Sequence, residues 1–170
     1  MPKIQKYQKV AASAALIALL GAGAAGLYAN EVAKHEGLVL EAYRDPVGIL
    51  TKCYGDTYDV TTGATYSREE CTQSLNKQLI NHAKPVLVCA PELKELSDGE
   101  KAAFLDLAYN IGTGNFCASS IPRLLKAGDR AGACAVISRF NRGGGVVMQG
   151  LVNRRFDNRE LCERGLKGDL

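Results

Sequence analysis

Twenty consecutive residues without a charge, Val10 to Ala29, set the first limit on how this 170-residue chain can fold. As a helix, a stretch of that length just spans the hydrocarbon core of a bilayer. In water it must instead be covered by the rest of the chain. Lys3, Lys6 and Lys9 precede it with no acidic residue among them. That pattern holds an N-terminus in the cytoplasm and sends the remainder of the chain outward. The stretch is also weakly apolar for a membrane helix. Nine alanines and three glycines outnumber four leucines and one isoleucine, and alanine and glycine gain little on transfer to lipid. Three readings are open: a cleaved signal peptide, with Ala22-Gly23-Ala24 offering small residues to a peptidase; a permanent anchor; and an anchor that can leave the membrane. Composition favours the last, with the protein then released on the far side of the membrane. The expected division is a signal-anchor segment over 1–29 and a folded domain over 30–170.

The three lysines account for the whole net charge of +3, so the domain is formally neutral. A nucleic-acid binder would carry its excess of Lys and Arg on the domain itself, and that class is set aside. Six cysteines, Cys53, Cys71, Cys89, Cys117, Cys134 and Cys162, all lie in the domain. An even count at wide spacing in an exported chain indicates disulfides. Joining neighbours along the chain gives Cys53–Cys71, Cys89–Cys117 and Cys134–Cys162 as the preferred pairing, one of many that six cysteines allow. No C-x-x-C pair exists, and His35 and His82 are the only histidines. A metal site is therefore not expected.

The elements read as α+β, mostly helical. Residues 31–41 have the periodicity of an amphipathic helix, and 43–65 suit a hairpin or small sheet. Ser67-Arg68-Glu69-Glu70 and Ser97-Asp98-Gly99-Glu100 are capping boxes, opening helices to about Ala83 and about Asn110. Pro85 and Pro91 bracket a connector. Short helices are expected near 120–127 and 129–140, then a mobile loop at Gly143-Gly144-Gly145 and a last helix over 150–163. Arg154 and Arg155 on that helix read as paired with Asp157, Glu160 and Glu163 of the same helix.

One carboxylate is out of place. Read as one helix, Val32, Glu36, Val39 and Tyr43 share a face, so Glu36 falls inside an apolar stripe. Desolvation there would favour the protonated form, which a general acid needs; the alternative is a structural Glu met by an Arg. Asp45 and Thr51 come next, with turns at Asp45-Pro46 and Gly48 that fold the chain back. A carboxylic acid, a second carboxylate and a hydroxyl to hold water are the parts for glycoside hydrolysis. His35, beside Glu36, points elsewhere on the helix and reads as a surface or cleft-edge residue. A Cys–His peptidase would need an activated thiol, for which the spacing gives no support.

Glu36-Gly37, Ala42-Tyr43-Arg44-Asp45, Gly48-Ile49-Leu50-Thr51 and Tyr54-Gly55 together resemble the E-G…A-Y-x-D…G-x-x-T…G-Y-G run of phage-type lysozymes, glycoside hydrolase family 24. Tyr109-Asn110-Ile111-Gly112, with Gly114 and Phe116, is similar to that family's F-N-x-G segment. Gly150-Leu151-Val152-Asn153-Arg154-Arg155 is similar to its G-L-x-x-R-R helix start. The resemblance covers about 31–163. It implies a two-lobed fold, a small β lobe and a helical lobe flanking a glycan cleft. It also implies a cofactor-free endolysin that hydrolyses the β-1,4 bond between N-acetylmuramic acid and N-acetylglucosamine. Glu36, Asp45 and Thr51 become the catalytic candidates, peptidoglycan and the inner membrane the partners, and a monomer the working state. Cys53 and Asp56 stand where the family often has Gly and His, and no tryptophan occurs; Phe140 is the candidate substitute. A lytic transglycosylase, working typically with one acidic residue, and a non-catalytic wall-binding protein are the alternatives.

Overall fold

The computed structural model describes residues 2–170. The uncharged stretch forms two helices, α1 (Ala14–Leu20) and α2 (Ala22–Glu36), bent by 115° at Gly21. No single helix among the described residues is long and apolar enough to cross a membrane, so the continuous span read from the sequence is absent from this folded state. The stretch is instead covered by the chain. Leu16, Leu20, Ala24, Ala25, Tyr28 and Ala29 are buried in the common core, and α2 runs without a break past residue 30. Polar side chains tie the segment in place. Asn76 accepts from the Ser13 amide and donates to the Ala11 carbonyl, while Asn30 does the same for Val10.

Gly37 ends α2 with φ of 72°, and the next residues form a strand. This differs from the helix expected over 31–41. An L-residue rarely adopts that φ, and Val39 pairs with Cys53 across an antiparallel hairpin of β1 (Val39–Arg44) and β2 (Leu50–Cys53). Val39 and Tyr43 thus do not share a helical face with Glu36. Both capping boxes form, at the starts of α3 (Arg68–Cys89) and α4 (Asp98–Ile111). Pro85 lies inside α3 rather than beginning a connector. Loss of its hydrogen bond costs about 3 kcal/mol, offset by burial of Val86 and Leu87 beyond it and by the Cys89–Cys117 bond.

Four helices complete the chain. Three are short: α5 (Thr113–Ala118), α6 (Ile121–Lys126) and α7 (Arg130–Val136). The last is α8 (Gln149–Lys167). The expected mobile glycine loop is the turn of a second hairpin, β3 (Arg142–Gly143) with β4 (Val146–Val147), whose Gly144 and Gly145 take positive φ. That backbone suits a two-residue hairpin turn. Disulfides join Cys53 to Cys71, Cys89 to Cys117 and Cys134 to Cys162. Their loops span 18, 28 and 28 residues, and each constrains the unfolded chain by about 3 kcal/mol.

Helix α4 is the spine, packed between α2 and α8. At its start, Gly99 and Gly165 let the α4 and α8 backbones meet: a Cβ on Gly99 would lie 2.8 Å from the Leu161 carbonyl and 3.1 Å from the Gly165 Cα. Backbone cannot yield as a side-chain tip can. Gly99→Ala is expected to destabilise the protein by roughly 1–3 kcal/mol, read as a lower urea midpoint at unchanged slope. An unchanged midpoint would show that the crossing is loose.

Candidate active site

Glu36 is the last residue of α2, which places its carboxyl where the helical body meets the first hairpin. Its neighbour is not an apolar wall. Arg154 of α8 donates through Nη1 to Glu36 Oε1 at 2.7 Å. The same guanidinium donates through Nε and Nη2 to Asp106 of α4, at 3.1 and 2.7 Å. Asp106 is fully buried, and Asn158 donates to its Oδ2 at 2.6 Å. The apolar surround expected for Glu36 is therefore replaced by an ion pair, and the reading of Arg154 as paired along its own helix is corrected. Its partners come from α2 and α4. Arg155 likewise turns inward, to the Phe140 carbonyl, Asn158 and Asn110. Burial, and then the charge of Arg154, lower its pKa to about 10, which leaves it charged at neutral pH. The i,i+4 pair that α8 does make is Arg159 with Glu163.

Asp45 opens the β1–β2 turn. Its Oδ1 accepts from the Val47 and Ile49 amides at 3.0 and 2.8 Å, an Asx-type closure that leaves Oδ2 free of the turn. Thr51 sits opposite Tyr43 in the ladder; its buried hydroxyl donates to the Ile49 carbonyl at 3.0 Å. Both carboxyls act on Tyr43 through their charge. Its phenol pKa is raised by burial, then by the charge of Asp45, then by that of Glu36. Tyr109 donates to Gln78 at 2.9 Å and packs at a tilt against the His82 ring. Burial raises its pKa strongly, and Glu36 is the largest charge acting on it.

The hairpin's exit is shaped for this approach. Cys53 takes φ of 57°, in the left-handed region that glycine prefers. Cys53 is held there by its bond to Cys71. Gly55 comes two residues later with φ of 84°, and a Cβ there would come within 3.9 Å of Glu36 Oε2. Asp56 accepts from the Ser74 hydroxyl and the Tyr58 amide. Beside it lies a concavity of about 620 Å³ bordered by Gly55, Asp56, Tyr58 and Tyr66. A second, of about 580 Å³, is bordered by Asn110, Asn115, Phe140 and Arg142. Phe140 thus borders a concavity. His35 is half-buried against α8, and every cysteine is bonded, which leaves no thiol for a peptidase.

The phage lysozyme family matches residues 33–158. The chain belongs to the phage lysozyme family. A SAR-endolysin of bacteriophage PS119 is 38% identical over 129 residues, 75% of this chain and 75% of that protein. The SAR-endolysin of enterobacteria phage P21 is 37% identical, over 75% and 76%. Among solved structures, the active form of the P1 phage endolysin Lyz superposes with a TM-score of 0.71 at 22% identity, covering 94% of this chain and 98% of that one; this likeness bears on fold alone. In this phage lysozyme, the residue that the sequence motifs undervalued is Arg154. It stands within the Arg154-Arg155 pair of the last motif, but its partners lie 48 and 118 residues away.

Arg154→Met would leave Asp106 charged and buried with no guanidinium. The expected cost is roughly 3–5 kcal/mol, measured by urea unfolding. Adding Asp106→Asn should recover part of it, because the stranded charge is gone. A single-variant cost below about 1 kcal/mol would mean that Arg154 behaves as a surface pair.

Proposed function

We propose that Glu36, Asp45 and Thr51 are the set with which this phage lysozyme hydrolyses the β-1,4 glycosidic bond of peptidoglycan. The observation that carries the assignment is the placement of Glu36 at the end of α2, where the helical body meets the hairpin that carries Asp45 and Thr51. Glu36 in its protonated form gives its proton to the leaving glycosidic oxygen. The carboxylate left behind is received by Arg154, whose Nε and Nη2 stay on Asp106. Asp45, with Oδ2 free of its turn, takes the proton of a water on the opposite face of the sugar. The Thr51 hydroxyl, its proton committed to Ile49, accepts a hydrogen bond from that water. All parts come from one chain, which is compatible with the expected monomer. Glu36→Gln should keep the far-ultraviolet spectrum and lose clearing of purified cell walls by roughly a hundredfold to ten-thousandfold. Clearing at the wild-type rate would remove Glu36 from the acid role.

The relatives' description as SAR-endolysins supports a second reading, in which residues 10–29 serve first as a signal-anchor in the inner membrane and then leave it. The division into 1–29 and 30–170 is in this reading a division of roles. Six residues separate Ala29 from Glu36. With the stretch in lipid, Glu36 is held at the membrane surface, away from Arg154, and the enzyme is inactive; release lets α2 dock and completes the site. The outward positions Ala14, Ala15, Ala18 and Ala22 are exposed. Replacing them with leucine should strengthen anchoring and delay lysis without disturbing the packed face. Fractionation of induced cells should find more of that variant in the membrane, while its detergent-purified form digests walls normally. A periplasmic protein that begins after Ala24 or Ala29 would contradict release, because cleavage would then suffice.

A further inference from the structure

A second cluster of side chains lies beside the catalytic helix end and takes no part in the proposed reaction. Glu31 and His35 stand one turn apart on α2, on the side that meets Asp157 of α8. His35 Nε2 is 3.4 Å from Glu31 Oε2 and 3.8 Å from Asp157 Oδ2, and the three ligand atoms lie within 4.8 Å of one another. Glu31 Oε2 and His35 Nε2 are both shut off from solvent, and neither finds a hydrogen-bond partner among the described residues. The His35 side chain is 12% exposed. Leaving two such polar atoms unsatisfied costs stability unless something bonds both.

The spacing identifies what could do so. Zinc bonds imidazole nitrogen and carboxylate oxygen at about 2.0–2.1 Å, so neighbouring ligands of a tetrahedral ion stand about 3.3–3.4 Å apart. The Glu31–His35 separation already has that value, and Asp157, within 4.8 Å of both, must move closer for all three to bind. We propose that Glu31, His35 and Asp157 bind a divalent transition cation of the zinc class, which fastens α2 to α8. One imidazole with two carboxylates suits zinc or cobalt. Magnesium and calcium prefer all-oxygen sites, and monovalent copper prefers sulfur. Water takes the fourth position. Lys34 is the competing cation: its Nζ lies 2.7 Å from Asp157 Oδ2, on a side chain 48% exposed. It can swing out, or keep Oδ2 while Oδ1 turns to the metal. Tyr7, whose phenol feels Glu31 and Lys34, is the other titratable group on this side. The site is complete only when α2 lies on α8, so a bound cation stabilises the docked arrangement over any state in which the helices part.

The test uses the full-length chain after chelation, titrated with cobalt at neutral pH and followed by the visible band of tetrahedral cobalt, with zinc then displacing it. One cation per chain and a higher thermal midpoint with zinc are expected. His35→Gln and Asp157→Asn should each weaken binding at least about tenfold and abolish the midpoint rise, while melting like the parent without metal. Lys34→Gln should tighten binding. Glu36→Gln and His82→Gln should leave it unchanged, which separates this site from the catalytic carboxylates and from the other histidine. A chain that shows no saturable cobalt band and no zinc-dependent midpoint overturns the proposal. So does binding that survives His35→Gln or is lost in His82→Gln.

Discussion

The guanidinium of Arg154 fixes the geometry on which the site depends. Asp106 lies fully buried in α4, and a charge in that position must be matched. Arginine's planar fork can spend two donors on one carboxylate and aim a third elsewhere, and here the third meets Glu36. Asn158 satisfies a further lone pair of Asp106, so the network is closed on its buried side and open only at Glu36. One guanidinium faces two carboxylates. The Glu36 carboxylate thus has a donor already in place.

A constraint of a different kind acts on residues 10–29. Their apolar surface can be covered by lipid or by the domain, and in this structure the domain covers it. The small residues serve both ends. Alanine and glycine make the stretch a weak membrane helix, and they also allow close docking. Ala24 and Ala25 are fully buried, and a Cβ on Gly23 would run into the Asp98 side chain at the start of α4. The composition that weakens the hold of lipid is therefore the composition that lets α2 lie against α4, and α2 ends in Glu36.

Local signals in the sequence carried far. Ser67 and Ser97 mark helix starts because a capping box is complete within four residues. The phage-lysozyme motif around Glu36, Asp45 and Thr51 likewise sits in one short run, and the hairpin turn it implies is formed. Signals failed where a single residue or a distant partner decides. Gly37 ends α2 with a positive φ, whereas the apolar periodicity continues to Tyr43 as if the helix did. Pro85 reads as a break, but the burial of the residues beyond it carries α3 onward. Arg154 and Asp157 read as neighbours on one helix, yet their partners are Asp106, Glu36, Lys34 and His35, which only the packing of α8 on α2 and α4 brings near. Pattern within a helix shows which face is apolar; it does not show which charges another helix will present to it.

Hydrolysis of glycan by delivery of water, rather than by an internal sugar attack, is tested most directly by digesting purified peptidoglycan in water enriched in oxygen-18. Mass spectrometry of the products should find reducing muropeptides carrying the heavy oxygen at the new sugar terminus, in keeping with a water held by Asp45 and Thr51. Anhydro-muropeptides without the label would contradict it and reassign the chemistry to a transglycosylase.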